Sequence, residues 1–261
     1  MIPTLKNRDS ALWHQTVLSA LKTGPSFVRE SKQGFRIYRQ RSAEAEQGVG
    51  HLLPNPDHAF QNATILKPGS KSHVGRVVID GKPYVLKRYN QRTLGYRLCN
   101  ALRRSRAMHS WLMAWHFLVR GLPVPEPLAC LEEKRVFLLA RSYVLMEDSS
   151  ATQTLRFAWR SSDSIAKAQL LAFFANLFGR MHCSGILHGD LKWDNIMVDL
   201  KNIEDSARLV DIDGSKMLSH PSLGSAKKDI ARFLKDLSKE DGVDERQSMF
   251  LKAWMSNWKP N

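Results

Sequence analysis

Residues 188–195 read HGDLKWDN, and they come directly after the apolar stretch LLAFFANLFGRMHCSGIL. The apolar positions of 165–181 align as one helical face, which predicts a long buried helix. Two aspartates, a lysine and an asparagine therefore crowd into the loop behind a core element. Beyond them the chain reads as a short strand at 196–198, a turn at Asp199–Asp205, a strand at 208–210 and the acidic segment Asp211-Ile212-Asp213-Gly214. A fold for this chain must hold a polar loop rigidly between a helix and short strands, and set a second acidic loop at a strand end.

The N-terminal half has a different pattern. From Ile65 a short apolar start, the loop PGSKSHVG, a strand at 76–79, the turn Asp80-Gly81 and a strand at 83–89 form a β-hairpin signature. Met108, Trp111, Leu112, Trp115, Leu118 and Val119 recur at three- and four-residue spacing, predicting a helix stopped by Gly121 and by the prolines at 123, 125 and 127. Two strands are expected at Val136–Ala140 and Tyr143–Met146, followed by a polar segment over Glu147–Thr154. In the first sixty residues Phe35–Tyr38 reads as a strand, and SAEAEQGVG with Pro54 and Pro56 as a loop. The tail reads as helical from Asp229, which is either a helix N-cap or a tie for the polar loop.

An apolar content of 43%, with seven Trp and eleven Phe, is enough to fill a core in a chain of 261 residues. Trp111 and Trp115 fall on the apolar helix face and are expected in that core. No apolar run approaches the ~18 residues of a membrane span, and the opening MIPTLKNRDS lacks the charged-then-apolar order of a signal peptide, so a cytoplasmic location is expected. The three cysteines are far apart, odd in number and read as reduced thiols. A net charge of +14 attracts polyanions, and it is unevenly placed. No acid occurs between Asp80 and Glu126, whereas Lys82, Lys87, Arg88, Arg92, Arg97, Arg103, Arg104, Arg106 and Arg120 all fall there. Such a block is a solvated face, a steering surface for an anionic partner, or a hold on an anionic membrane surface. Nucleic acid would account for the charge but leaves the acidic loops unexplained.

Those loops carry the residue types that phosphoryl transfer needs: a carboxylate for the attacking hydroxyl's proton, oxygen ligands for magnesium, and cations on the phosphates. Asp190 is the candidate base, in a loop that a buried helix can hold in place. Asn195 offers a neutral carbonyl oxygen as a metal ligand, and Asp211 a carboxylate at a strand end. Lys87, ending the stretch Tyr84-Val85-Leu86-Lys87, is placed to pair with phosphates.

The pair HGDLKWDNIMVD and LVDIDG resembles the catalytic loop and metal-binding segment of the protein-kinase superfamily, whose loop runs H-R-D-L-K-x-x-N. Gly189 replaces the arginine, and DIDG stands where protein kinases have Asp-Phe-Gly. With DGKPYVLKRY, RGLPVPEPLA and the basic helix, the chain over residues 62–240 is most similar to the bacterial lipopolysaccharide core kinase family, which phosphorylates heptose or Kdo sugars of the inner core. The resemblance implies an α+β, two-lobed protein-kinase-like fold: an N-terminal extension at 1–60, a strand-rich lobe at 61–148 and a mainly helical lobe at 149–261. It implies ATP and Mg²⁺ as cofactors and an anionic glycolipid as acceptor, met in the cytoplasm or at the inner face of the inner membrane. Asp190 becomes the base, Lys192 a γ-phosphate contact, and Asn195 and Asp211 the metal ligands. Lys87 pairs with the α- and β-phosphates. Gly69 and Gly75, in a loop without the G-x-G-x-x-G order, and Met146 and Glu147 complete the nucleotide contacts.

One departure bears on activity. Protein kinases hold the strand lysine with a helix glutamate, and Ser110 stands in that place here. Two alternatives stay open beside the sugar kinase: a kinase of another small molecule or a protein hydroxyl, and a catalytically silent kinase-like binding protein. His188 reads as a packing residue, and Asp194 and Asp213 as loop residues rather than metal ligands.

Overall fold

The computed structural model describes residues 10–69, 72–90, 104–135, 138–149, 152–241 and 245–259. The chain forms two compact units, one of Met1–Val119 with Pro125–Asp148, the other of Arg120–Val124 with Ser149–Asn261.

The first unit is built on a seven-stranded antiparallel sheet. Its strands are β1 (Phe27–Lys32), β2 (Phe35–Gln40), β3 (Thr64–Lys67), β4 (Ser72–Ile79), β5 (Lys82–Tyr89), β6 (Pro127–Arg135) and β7 (Leu138–Glu147), in the order β1-β2-β6-β7-β5-β4-β3. The hairpin β4–β5 turns at Asp80-Gly81, both with positive φ, as a two-residue turn between twisted strands requires. Side chains alternate across the sheet. Tyr84 and Leu86 enter a core shared with α2 (Ala43–Leu52), whereas Tyr89 enters a second core with Trp111 and Trp115 of α3 (Arg106–Leu118) and Val17 of α1 (Ser10–Ser19).

Three expectations for this unit need correction. SAEAEQGVG is no loop: Ser42 Oγ accepts the Ala45 N–H at 3.2 Å, Glu44 and Glu46 sit in the positive first turn, and Ala45, Gly48, Val49 and Leu52 bury one face of α2. Gly48 is small for packing, since a Cβ there would lie 2.6 Å from Leu145. The strands expected at Val136–Ala140 and Tyr143–Met146 are one, β7, and its partner β6 starts at Pro127, where a missing N–H costs no ladder bond. Residues 136 and 137 lie outside the described residues. The strand expected at 76–79 starts at Ser72 and takes in Gly75.

The second unit is mainly helical: α4 (Leu155–Arg160), α5 (Ser164–Cys183), α6 (Ile203–Ser206), α7 (Leu223–Asp241) and α8 (Glu245–Ser256). Phe174 and Phe178 of α5 meet Phe233 of α7 and Phe250 of α8, with Phe233 and Phe250 stacked at 4.8 Å. The expected helical tail thus begins at Leu223, with Ser222 Oγ accepting the Ser225 N–H, and Asp229 lies inside α7 rather than at its cap. Five short strands complete the unit: β8 (Gln153–Thr154), β9 (Ile186–Leu187), β10 (Ile196–Val198), β11 (Arg208–Leu209) and β12 (Lys216–Met217). No helix among the described residues is long and apolar enough to cross a membrane. Cys130 and Cys183 are free thiols, and Cys99 lies outside the described residues.

Candidate active site

Two antiparallel ladders bring the acidic segments together. β9 leads into the loop His188–Asn195 and β10 leads out, while β11 leads into Asp211–Gly214 and β12 leads out. β10 pairs with β11 and β9 with β12, so the two loops run opposite each other, clamped at both ends. Cross-links close the gap between them. The Val210 N–H donates to Asn195 O at 2.9 Å, and Ser215 Oγ donates to His188 O at 2.9 Å. Asn195 and Asp211 thereby come to the same end of the β10–β11 ladder.

Gly189 lies at the tightest point. Its φ is +84°, and a Cβ there would stand 2.5 Å from the Gly214 carbonyl oxygen. The glycine that departs from the kinase arginine thus has a backbone cause: no side chain fits between the two loops. Asp211 also has positive φ, +60°. Of the non-glycine residues with positive φ among those described, Gln33 and Asp80 sit at hairpin turns and Asp211 alone sits at the site. Such a conformation costs about 1–3 kcal/mol and persists where neighbours enforce it.

Asp190 is the focus of the loop. Its Oδ2 accepts Asn195 Nδ2 at 3.0 Å and pairs with Lys192 Nζ at 2.9 Å, and its Oδ1 accepts Arg232 Nε at 3.2 Å. Burial alone would raise the Asp190 carboxyl, but Lys192 and then Arg232 outweigh it and hold the group below the usual carboxylate range. Asn195 is buried, and both of its side-chain bonds run from Nδ2 to Asp190, to O and Oδ2. That fixes the amide orientation and leaves Oδ1 as the acceptor end. His188 is fully buried, which pushes its imidazole below the ordinary value against the opposing pull of Asp229 and Asp190, so it packs as a neutral ring.

α7 anchors this loop from beneath. Asp229 accepts the N–H groups of His188 at 2.7 Å and Gly189 at 2.9 Å, and Asp236 accepts that of Trp193 at 3.0 Å. Trp254 Nε1 donates to His182 Nδ1 at 3.1 Å, so the His182 proton sits on Nε2 and points at Asp229, 3.3 Å away. Arg156 of α4 joins Asp194, Asp236 and Glu240. Trp193 roots the loop in the aromatic core, 5.6 Å from Phe233.

The remaining predicted residues lie in the first unit. Lys87 is buried on β5, its ammonium 5.4 Å from the centre of the Tyr89 ring, and the Tyr89 hydroxyl is 2.8 Å from Ser110 Oγ on α3. Gly75 lies within β4 against Phe60 and Ala63, so packing accounts for its size, and Gly69 O accepts Asn90 Nδ2. Met146 and Glu147 end β7, where the Glu147 N–H donates to Glu126 O. Of the basic block, Arg92, Arg97 and Arg103 lie outside the described residues. Asp236, Arg156 and Arg232 were not singled out from the sequence. A usable signal was present in the carboxylates at 229 and 236, seven apart and on the apolar side of an amphipathic helix.

A polar loop rooted in a helical unit, facing an Asp-x-Asp-Gly segment, with a buried lysine on an antiparallel sheet, defines a protein-kinase-like protein. The description "Lipopolysaccharide kinase (Kdo/WaaP) family" matches residues 68–254, and the chain belongs to that family. Among solved structures it is similar to "WaaP in complex with acyl carrier protein", with a TM-score of 0.55 and 17% identity over 80% of this chain and 86% of that one. A vaccinia related kinase 3 structure also matches, with a TM-score of 0.37 and 12% identity over 79% of this chain and 56% of that one. No curated protein matches. Family membership makes the chain a kinase of lipopolysaccharide biosynthesis, and the likeness to WaaP supports the kinase-like fold.

Proposed function

We propose that this chain transfers the γ-phosphoryl group of ATP to a hydroxyl of a heptose or Kdo sugar in the lipopolysaccharide inner core. The observation that carries this is the fixing of Asp190: Asn195 and Lys192 hold its carboxylate, and Asp229 holds the backbone beside it. A base so held can orient an acceptor hydroxyl before transfer.

The sugar oxygen forms a bond to the γ-phosphorus as the bond from that phosphorus to the bridging oxygen of ADP breaks. Asp190 accepts the hydroxyl proton. Lys192 turns from Asp190 toward the transferring phosphoryl oxygens, and Lys87 supplies the cation for the α- and β-phosphates. Among the described residues no three His, Cys, Asp or Glu side chains cluster as a metal site. Asn195 Oδ1 and the Asp211 carboxylate nevertheless form the hard-oxygen pair that magnesium takes alongside nucleotide phosphates, and they fit the ion. When bound there, magnesium would neutralise charge on the β- and γ-phosphates. Gly69, Gly75, Met146 and Glu147 are proposed nucleotide contacts.

The +14 charge supports action at the anionic cytoplasmic face of the inner membrane, which flotation with anionic vesicles at low salt tests. The WaaP structure holds acyl carrier protein, and we extend that partner to this chain as a proposal. One observation favours a silent kinase fold instead: α3 presents Ser110, bonded to Tyr89, where protein kinases carry a glutamate.

The deciding experiment is phosphate transfer from ATP with Mg²⁺ to dephosphorylated core, read by mass spectrometry for wild type and Asp190→Asn. A gain of one phosphate, reduced at least ~10²-fold by the substitution, is expected. Nucleotide binding with no transfer to any core fragment would leave the silent fold.

A further inference from the structure

α7 presents Lys228, Arg232, Lys235 and Lys239 at intervals of four, three and four residues, which is one helical face. The three lysines are exposed and Arg232 is half-buried. The stripe runs to the candidate base, because Arg232 Nε donates to Asp190 Oδ1 at 3.2 Å. Only that nitrogen is used. Among the described residues no acceptor bonds Arg232 Nη1 or Nη2, and 40% of the side chain is exposed.

Holding Asp190 does not account for this arginine. Asn195 and Lys192 already fix the carboxylate through its other oxygen. An open guanidinium edge is a planar fork that matches a phosphate or a carboxylate with two parallel bonds, which a lysine cannot do. Among the described residues Lys228 and Lys235, one turn to either side, have no acid partner, and they extend the same positive face.

We propose that Arg232 is the acceptor-recognition residue: its Nη edge binds an anionic substituent, phosphate or carboxylate, on the sugar ring that offers its hydroxyl to Asp190 or on the adjoining ring. Lys228 and Lys235 continue the track for further anions of the same acceptor. The substrate is therefore a sugar already carrying a negative charge near the reacting hydroxyl. This rests on the assignment of Asp190 as base.

The test uses deacylated core oligosaccharide from cells lacking this kinase, so that the acceptor hydroxyl is free, in four forms: untreated, phosphatase-treated, carboxyl-reduced, and both. Transfer kinetics with ATP and Mg²⁺ are measured for wild type, Arg232→Gln and Arg232→Lys, with calorimetric binding of the same four forms in the presence of ADP. Removing the recognised anion should lower wild-type kcat/KM about tenfold or more, chiefly through KM, and the form that loses activity identifies phosphate or carboxylate as the source. Arg232→Gln should show the same loss on untreated core and no preference among the forms, with Arg232→Lys between. Equal wild-type use of all four forms, or a preference that survives in Arg232→Gln, overturns the proposal. If no form is phosphorylated the proposed reaction fails, and binding decides separately. Anion-dependent binding that Arg232→Gln abolishes upholds the inference; binding that is absent, or indifferent to charge or to residue 232, overturns it.

Discussion

The carboxylate of Asp229 accepts the backbone N–H of His188 at 2.7 Å, from a position six residues inside a helix that lies forty-one residues further along the chain. Its other oxygen takes the Gly189 N–H, and His182 backs it. Asp229→Ala would leave two amides and a ring N–H without their acceptor, most of them buried, at a cost of about 2–5 kcal/mol. Asp229→Asn keeps one acceptor and should cost less. Denaturant unfolding of the full chain checks the order, and a loss under about 1 kcal/mol for Asp229→Ala would show that the loop does not depend on this anchor.

Gly189→Ala separates backbone strain from collision. The added methyl would meet Gly214 as well as forcing an unfavourable φ, whereas Gly81→Ala has a similar φ, +79°, and open space around it. Both substitutions should lower stability by about 1 kcal/mol or more. Only Gly189→Ala should cut kcat, about 10²-fold, because it shifts Asp190 against Asn195 and Asp211. Equal kinetic effects of the two would mean that the contact between the loops does not position Asp190.

The sequence made much of this site legible, for a physical reason. Asp190, Lys192, Asn195 and Asp211 lie within twenty-two residues, so local spacing and short strands nearly determine their meeting. Asp229, Arg232 and Asp236 reach the same loop through a helix, and nothing local indicates which face of that helix the loop will find. The helix α2 was hidden because SAEAEQGVG is a polar run followed by Pro54 and Pro56, although the close approach of Leu145 makes Gly48 a packing residue. Ser110 was found by its place in a helix, but its bond to Tyr89 depends on sheet register, which the periodicity of either element does not reveal.

Glu240 offers a pH test remote from the chemistry. Arg160 and then Arg156 bind its carboxylate, outweighing burial, and hold it below the usual glutamate range. A depressed carboxylate contributes stability above its unfolded pKa, about 4.3, and loses it as pH falls through the lower folded value. Glu240→Gln should therefore melt below wild type at pH 7, and the gap should close as pH falls past the unfolded value toward the lower folded one. Thermal melts at a series of pH values check this. A gap that stays constant into acid would mean that charge is not what Glu240 contributes.

Lys87 and Tyr89 share one face of β5, and the lysine stands over a ring whose hydroxyl is tied to α3 through Ser110. If Lys87 is the phosphate lysine proposed above, this ring lies between it and α3, where protein kinases use a glutamate. A cation over a desolvated ring is worth roughly 0.5–2 kcal/mol. Tyr89→Phe and Ser110→Ala remove the tie and keep the ring at position 89, and each should change the KM for ATP by about twofold or less. Tyr89→Leu removes the ring face and should raise it about five- to thirtyfold, with a melt to confirm folding and direct nucleotide binding as a second readout. If Tyr89→Leu folds and binds ATP as wild type does, the ring does not position Lys87. If Ser110→Ala instead matches Tyr89→Leu, the connection to α3 governs the lysine rather than the ring itself.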